Sequence, residues 1–78
     1  MKNLYLVYET DAWLSYSSRD LIGVCTTHHK AVNIAKMHAK KYSKRLSRDD
    51  KFNLENISQT QGLEYNYYIE EVQTDKLL

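Results

Sequence analysis

Three stretches of the chain have the hydrophobic pattern of β-strands. Residues 4–9 read Leu-Tyr-Leu-Val-Tyr-Glu, where aromatic and branched side chains predominate in a run too short for a helix. Residues 20–25, Asp-Leu-Ile-Gly-Val-Cys, have the same character and predict a second strand. Residues 65–73 alternate between two faces and predict a third strand.

The third predicted strand is unusual because it places aromatic side chains on both faces. Alternation puts Tyr65, Tyr67 and Ile69 on one side, and Tyr68 and Val72 on the other. Either register of this strand therefore leaves tyrosine on each face of the sheet.

A long amphipathic helix is predicted over residues 28–46, which are rich in good helix formers. Its apolar face comprises Ala31, Ile34, Ala35, His38, Tyr42 and Leu46. The opposite face carries Lys36, Lys40 and Lys44. The side chain of Thr26 or Thr27 is expected to accept a hydrogen bond from a free N–H of the first turn, so the helix should begin there.

Two segments have weaker patterns. We interpret residues 11–19 as a long hairpin connection whose Trp13 folds back on the sheet. Residues 47–63 are interpreted as a loop that contains at most a short helix, because Ser47 followed by Asp50 resembles a helix start. Phe52 and Leu54 nevertheless alternate with polar neighbours, as they would in a strand.

The order strand, strand, helix, strand predicts one α+β domain over residues 1–78. Its sheet has three mostly antiparallel strands in the order β-β-α-β along the chain, and one long helix covers one face. A chain of 78 residues with 42% hydrophobic residues has enough apolar material for one small core. Its margin of stability should be small, which makes self-association a reasonable expectation.

Composition excludes several classes of protein. The single cysteine, Cys25, rules out a disulfide scaffold and favours a reducing compartment, so a cytoplasmic location is expected. No apolar run approaches the ~18 residues of a membrane span, and the first residues lack the apolar core of a signal peptide. We therefore expect no membrane partner.

Several motifs together resemble a known group of proteins. Residues 21–27, Leu-Ile-Gly-Val-Cys-Thr-Thr, enter a helix that contains Ala31, and Gly62 precedes Tyr-Ile-Glu-Glu-Val at 68–72 and Asp-Lys-Leu-Leu at 75–78. In these features the chain resembles small uncharacterised bacterial and phage proteins. The resemblance implies a strand–strand–helix–strand fold and an origin in a phage or mobile element. It implies no activity and no functional residues.

Metal binding and thiol catalysis are both poorly supported. The soft ligands are Cys25, His28, His29 and His38, and only the first two have the spacing of a zinc-binding pair. His38 lies on the apolar helix face, where a histidine bonded to backbone or tyrosine is the commoner finding. A Cys25–His pair would also need an orienting group and an oxyanion hole. We predict no metal, no cofactor, no catalytic residue and no enzyme activity.

Positive charge is concentrated in one part of the chain. Residues 30–51 carry eight basic and two acidic side chains, a net charge of +6, whereas the remainder carries three basic and eight acidic ones, a net of −5. A surface for nucleic acid or an acidic partner is predicted at Lys36, Lys40, Lys41, Lys44 and Arg48. The alternative is an ordinary solvated helix face.

The start of the predicted helix is a second candidate for binding anions. It combines free N–H groups, hydroxyls and positive charge, and it has no acidic residue to offset the helix dipole. The candidate residues are Thr26, Thr27, His28 and Lys30. The alternative is that threonine only caps the helix and the histidines are exposed.

Seven tyrosines and one tryptophan are more than a single small core needs. One helix covers one face of a sheet, so aromatic residues on the other face should meet a partner. The predicted interaction surface is Tyr5, Trp13, Tyr65 and Tyr67, or their opposite-face neighbours. Alternatively, Trp13 and residues 52–63 fold over that face and leave nothing for a partner.

The main functional hypothesis is a small non-catalytic protein-interaction module, accessory or regulatory, that forms a homodimer and binds an unidentified protein. The alternative is an accessory nucleic-acid-binding protein that uses the basic face of helix 28–46.

Overall fold

A computed structural model describes residues 3–73 of the chain. The strands are β1 (Asn3–Thr10), β2 (Asp20–Cys25) and β3 (Asn66–Gln73). The helices are α1 (His28–Lys41) and α2 (Arg48–Ile57), and a single 3-10 turn occupies Tyr16–Ser18. The predicted α+β class and the three-stranded antiparallel sheet are confirmed, and a second helix is added, so the order is β-β-α-α-β.

The middle strand of the sheet is β1, which pairs antiparallel with β2 on one side and with β3 on the other. At its centre Val7 lies opposite Gly23 and Ile69. Because both neighbours are antiparallel to β1, β2 and β3 run in the same direction. The chain must therefore cross over β1 between them, and both helices lie in this crossover.

The core lies between the helices and one face of the sheet. Its buried side chains are Val7, Ala31, Val32, Ala35, Ala39, Leu54, Tyr67 and Ile69. Three alanines on α1 let the helix approach the sheet closely. A Cβ atom added at Gly23 would lie 2.8 Å from Cγ2 of Ile34, so this position of β2 has room only for glycine.

The first helix is shorter than predicted. It ends at Lys41 rather than near residue 46, because a Schellman motif closes it. The N–H of Ser43 donates to the carbonyl of Lys40, and the N–H of Lys44 donates to that of Ala39 at 2.7 Å. Ser43 adopts the left-handed conformation, with φ of 56°, at a position usually occupied by glycine.

The segment 47–63 contains a ten-residue helix rather than a loop. Ser47 and Asp50 form a capping box, in which each side chain accepts a hydrogen bond from the other's backbone N–H. The helix start suggested by these two residues is therefore confirmed. Leu54 is buried against the core, whereas Phe52 is 62% exposed, which is the pattern of a helix and not of a strand.

A buried polar network joins the connection before β3 to the connection after β1. The side-chain amide of Asn66 donates to the carbonyls of Asp11, Ala12 and Leu63, and its oxygen accepts from the hydroxyl of Thr60. These bonds satisfy a fully buried amide and fix where β3 begins. The third strand consequently starts at Asn66 and not at residue 65.

The prediction that Trp13 folds back on the sheet is wrong. The carboxylate of Asp11 accepts hydrogen bonds from the backbone N–H groups of Trp13 and Ser15, which closes a tight turn. The side chain of Trp13 is 84% exposed and covers neither face.

The packing of α2 gives a matched pair of substitutions. Leu54→Ala should lower the free energy of unfolding by about 2–5 kcal/mol, because it removes a fully buried side chain. Phe52→Ala removes a larger but exposed ring, so its effect should be within about 0.5 kcal/mol. Urea unfolding followed by circular dichroism measures both. Equal losses for the two variants would contradict the packing of α2 described here.

Candidate functional site

One face of the sheet has no helix over it within residues 3–73. Val7, Tyr67 and Ile69 point toward the helices, so their neighbours along the strands point the opposite way. This uncovered sheet face consists of Leu4, Leu6, Tyr8, Leu21, Val24, Tyr68, Glu70 and Val72. Two members of β2, Leu21 and Val24, are 55% and 52% exposed.

The strand register makes the uncovered sheet face continuous. Leu6 lies between Val24 of β2 and Glu70 of β3, and Tyr8 lies between Leu21 and Tyr68. Glu70 is the one charged member among seven apolar or aromatic side chains. A patch of this composition is typical of an interaction surface.

Arg19 covers one end of the uncovered sheet face. Its guanidinium carbon lies 4.2 Å from the ring centre of Tyr68, 4.8 Å from that of Tyr16 and 5.7 Å from that of Tyr8. The three ring distances are those of cation–π contacts between the planar guanidinium and the tyrosines. In addition, Nη1 of Arg19 lies 3.9 Å from a carboxylate oxygen of Glu70.

The Arg19 guanidinium uses only part of its hydrogen-bonding capacity. The buried Nε of Arg19 has no hydrogen-bond partner among residues 3–73. Burial and the neighbouring Glu70 carboxylate raise the pKa of Tyr8 above its ordinary value of 10.0. Arg19 and Tyr8 are thus both partly removed from water before any partner binds.

The turn after β1 positions this cluster. The hydroxyl of Ser15 donates to Asp11 at 2.7 Å, and the hydroxyl of Ser18 accepts from the Asp11 N–H at 3.0 Å. The bonds from Ser15 lower the pKa of the Asp11 carboxyl. The closed turn leads into the 3-10 turn and places Tyr16 against Arg19.

The four residues predicted to form the aromatic interaction surface do not share one exposed face of the sheet, which corrects that prediction. Tyr5 faces the helices, edge-on to His28 at 5.9 Å. Tyr67 is fully buried, and Tyr65 precedes β3 with 51% of its surface exposed. Trp13 lies in the exposed turn described above. The uncovered sheet face instead carries Tyr68, the opposite-face neighbour of Tyr67, together with Tyr8 of the middle strand.

Tyr8, Arg19, Tyr68 and Glu70 were not among the predicted site residues. Tyr8 lies on β1 and Tyr68 lies on β3. Only the register between these two strands shows that both tyrosines are on the sheet face that Val7 does not occupy. Arg19 precedes β2 and meets Tyr68 from nearly fifty positions away in sequence, so no local pattern indicated their contact.

A second polar cluster lies where β1 meets the end of α1. Nδ1 of His38 is 2.8 Å from the hydroxyl of Tyr67 and 3.9 Å from a carboxylate oxygen of Glu9. Lys44 pairs with the same carboxylate. The expectation that His38 bonds to tyrosine is confirmed. Burial, together with the negative charge of Glu9, raises the pKa of Tyr67 to about 12.

The predicted basic surface divides into paired and unpaired residues. Lys36 lies 3.5 Å from Glu55 of α2, and Lys44 pairs with Glu9. Lys40, Lys41 and Arg48 are exposed. Lys36, Lys40 and Lys41 lie on α1, and Lys44 lies in the turn after it. Arg48 is the first residue of α2.

At the start of α1 the predicted threonine cap is confirmed, whereas His28 is half-buried and not exposed. The Thr27 hydroxyl accepts from the N–H of Lys30 at 3.1 Å, and His28 Nε2 lies 3.0 Å from the Ser58 hydroxyl. Thr26 and Lys30 are exposed. One free N–H group and one histidine of the predicted anion site are thereby engaged within the chain.

Cys25 is placed as a structural thiol. Its Sγ donates to the carbonyl of Tyr5 at 3.6 Å, and burial raises the pKa of the thiol. A raised pKa disfavours the thiolate that nucleophilic or metal-binding chemistry requires. No group of three or more His, Cys, Asp or Glu side chains in residues 3–73 is arranged to hold a metal ion.

No protein-family model, no curated protein and no solved structure matches this chain. Neither helix within the described span has the length and apolar character needed to cross a bilayer. The function must therefore be argued from the site itself.

The buried tyrosine gives a prediction about pH. The folded chain holds the Tyr67 proton more tightly than the unfolded chain, whose tyrosines ionise near 10.0. Its contribution to stability is therefore complete below pH 10 and is lost as the pH rises through about 12. In rapid pH jumps followed by tyrosinate absorbance, wild-type protein and a Tyr8→Phe control should show ionisation near pH 12, and Tyr67→Phe should lack it. Ionisation of every tyrosine near pH 10 would contradict the burial.

Proposed function

We propose that the protein is a small non-catalytic interaction module that forms a homodimer by packing the uncovered sheet faces of two copies together. The observation that carries this proposal is the continuous row of apolar and aromatic side chains, over which residues 3–73 place no helix. Burying such a patch against a second copy would supply hydrophobic stabilisation that a chain of this size otherwise lacks.

Charge supports a second copy as the occupant of this face. Arg19 and Glu70 are opposite charges on the same surface, near the same end of the patch. A two-fold axis that passes between these two side chains would bring the cation of one copy beside the anion of the other, which would make the surface complementary to itself.

The two outer edges of the sheet are poorly suited to edge-to-edge pairing, which favours face-to-face packing. On the outer edge of β3, the N–H of Ile69 already donates to the Ser58 carbonyl, and the Tyr67 carbonyl accepts from the N–H of Thr60. On β2 the register shifts opposite Val7 and Tyr8, leaving Ile22 as an extra residue. Such a bulge twists an edge strand away from regular pairing.

The size of the patch sets the expected strength of the dimer. Three strands about 4.8 Å apart and six to eight residues long give a face of roughly 350 Å². Tyr16, which is 82% exposed beside Arg19, adds about 150 Å². Two copies would bury about 1,000 Å² in total, which is at the low end for specific complexes, so a dissociation constant in the micromolar range is expected.

From the motifs that resemble those of small bacterial and phage proteins, we infer an accessory or regulatory factor encoded by a phage or mobile element. The single cysteine, Cys25, leads us to propose a cytoplasmic location. The dimer would then present its helical sides to an unidentified protein partner.

The oligomeric state and its sensitivity to charge test this proposal. Sedimentation velocity from about 5 to 500 μM should show wild-type protein moving from monomer to dimer. Val24→Lys places a charge on the uncovered sheet face, beside Leu6 of the middle strand, and should remain monomeric. Met37→Lys is the matched control, since Met37 is 69% exposed on α1 and lies outside the patch. It should dimerise like the wild type.

Circular dichroism should show that both lysine variants keep the native fold, because each residue is mostly exposed. Wild-type protein that stays monomeric at the highest concentration would overturn the proposal. Equal loss of the dimer in both variants would show that the dimer uses another surface.

A further inference from the structure

A cationic groove lies on the helical side of the molecule, away from the uncovered sheet face. It has a volume of about 340 Å³ and is bordered by Lys36, Lys40, Lys44, Arg45 and Lys51. Its floor is formed by Ala39 and Leu46, and no acidic side chain lines it. A concavity of this size accommodates several atoms of a ligand rather than a single ion.

The turn after α1 builds this groove. The Schellman motif at Ser43 reverses the chain, so Lys44 and Arg45 return alongside Lys40. Lys51 joins them from α2. Within residues 3–73, Lys40, Arg45 and Lys51 have no carboxylate within 4.0 Å, whereas Lys36 and Lys44 each have one. Three unpaired cations around one concavity repel one another and favour an anionic ligand.

Aromatic rings lie directly beside the cationic groove. Lys44 also lines a second pocket of about 340 Å³, together with Tyr42, Tyr65, His38 and its ion-pair partner Glu9. These two tyrosines are 58% and 51% exposed. A third concavity, lined by Arg45, Leu46, Leu63, Glu64 and Tyr65, shares Lys44 with both pockets. Its one acidic side chain, Glu64, lies at the tyrosine end. A path therefore runs from the unpaired cations to two half-exposed rings, and Lys44 lies 5.0 Å from the ring centre of Tyr65.

We propose that this path binds single-stranded nucleic acid, with phosphates at Lys40, Arg45 and Lys51 and a base stacked on Tyr65 or Tyr42. A cationic track with neighbouring aromatic rings is the arrangement by which proteins bind single strands without reading sequence. Stacking requires an unpaired base, so a duplex would use the cations alone. The proposal uses a different surface from the sheet dimer and is independent of it.

Fluorescence anisotropy with a labelled single-stranded oligonucleotide of about 12 residues tests this. Binding at low salt is expected, and three phosphate contacts should give a log–log salt slope of about −2. A duplex of the same sequence should bind more weakly. Unlabelled tripolyphosphate, which carries phosphate charge without bases, should compete poorly.

Two variants separate charge from stacking. Arg45→Gln should weaken binding and reduce the salt slope by about 0.7, the value for one lost phosphate contact. Tyr65→Leu should weaken binding roughly fivefold or more through lost stacking, with an unchanged salt slope. Gln73→Glu is the matched control, because it lowers the net charge by the same one unit at an exposed residue at the other end of β3 from Tyr65. It should bind like the wild type.

Three results would each overturn the proposal. The first is the absence of single-strand binding at low salt. The second is an equal effect of Gln73→Glu and Arg45→Gln, which would show attraction by general charge rather than by the groove. The third is equal affinity for duplex, tripolyphosphate and single strand, together with no effect of Tyr65→Leu, which would eliminate the stacked base.

Discussion

The crossover from β2 to β3 is the constraint on which the rest of this structure depends. Both strands lie beside β1 and run in the same direction, so the chain between them has to pass over β1 on one face. Both helices are in that connection. One face of the sheet therefore receives all the helical cover, and the core forms there around Val7, Leu54 and Tyr67. The other face receives no helix from the described part of the chain, residues 3–73.

This asymmetry divides the molecule into two surfaces of different chemistry. The uncovered sheet face is apolar, with Arg19 stacked on tyrosine rings and a single acidic residue, Glu70. The helical side carries the positive charge of residues 30–51. Dimerisation through the sheet would place the two helical sides on opposite outer faces, so the dimer would present two separate cationic grooves.

The sequence predicted the elements whose signals are local. Hydrophobic alternation located the strands, helical periodicity located α1, and Ser47 with Asp50 indicated the start of α2. The end of α1 was missed because Ser43 adopts a conformation usually taken by glycine. The sequence did not show which face of β3 the helices cover, because the consecutive residues Tyr67 and Tyr68 place an aromatic side chain on each face. The Arg19 cluster depends on contacts between distant residues, which only the folded sheet creates.

The central claim is that the uncovered sheet face is an interface between two copies. The most direct measurement is an isotope-filtered nuclear Overhauser experiment on a concentrated mixture of labelled and unlabelled protein. It detects only contacts between different molecules. The account predicts contacts between the methyl groups of Leu6 and Val24 and the rings of Tyr8 and Tyr68. Intermolecular contacts confined to α1 and α2, or none at all, would contradict it.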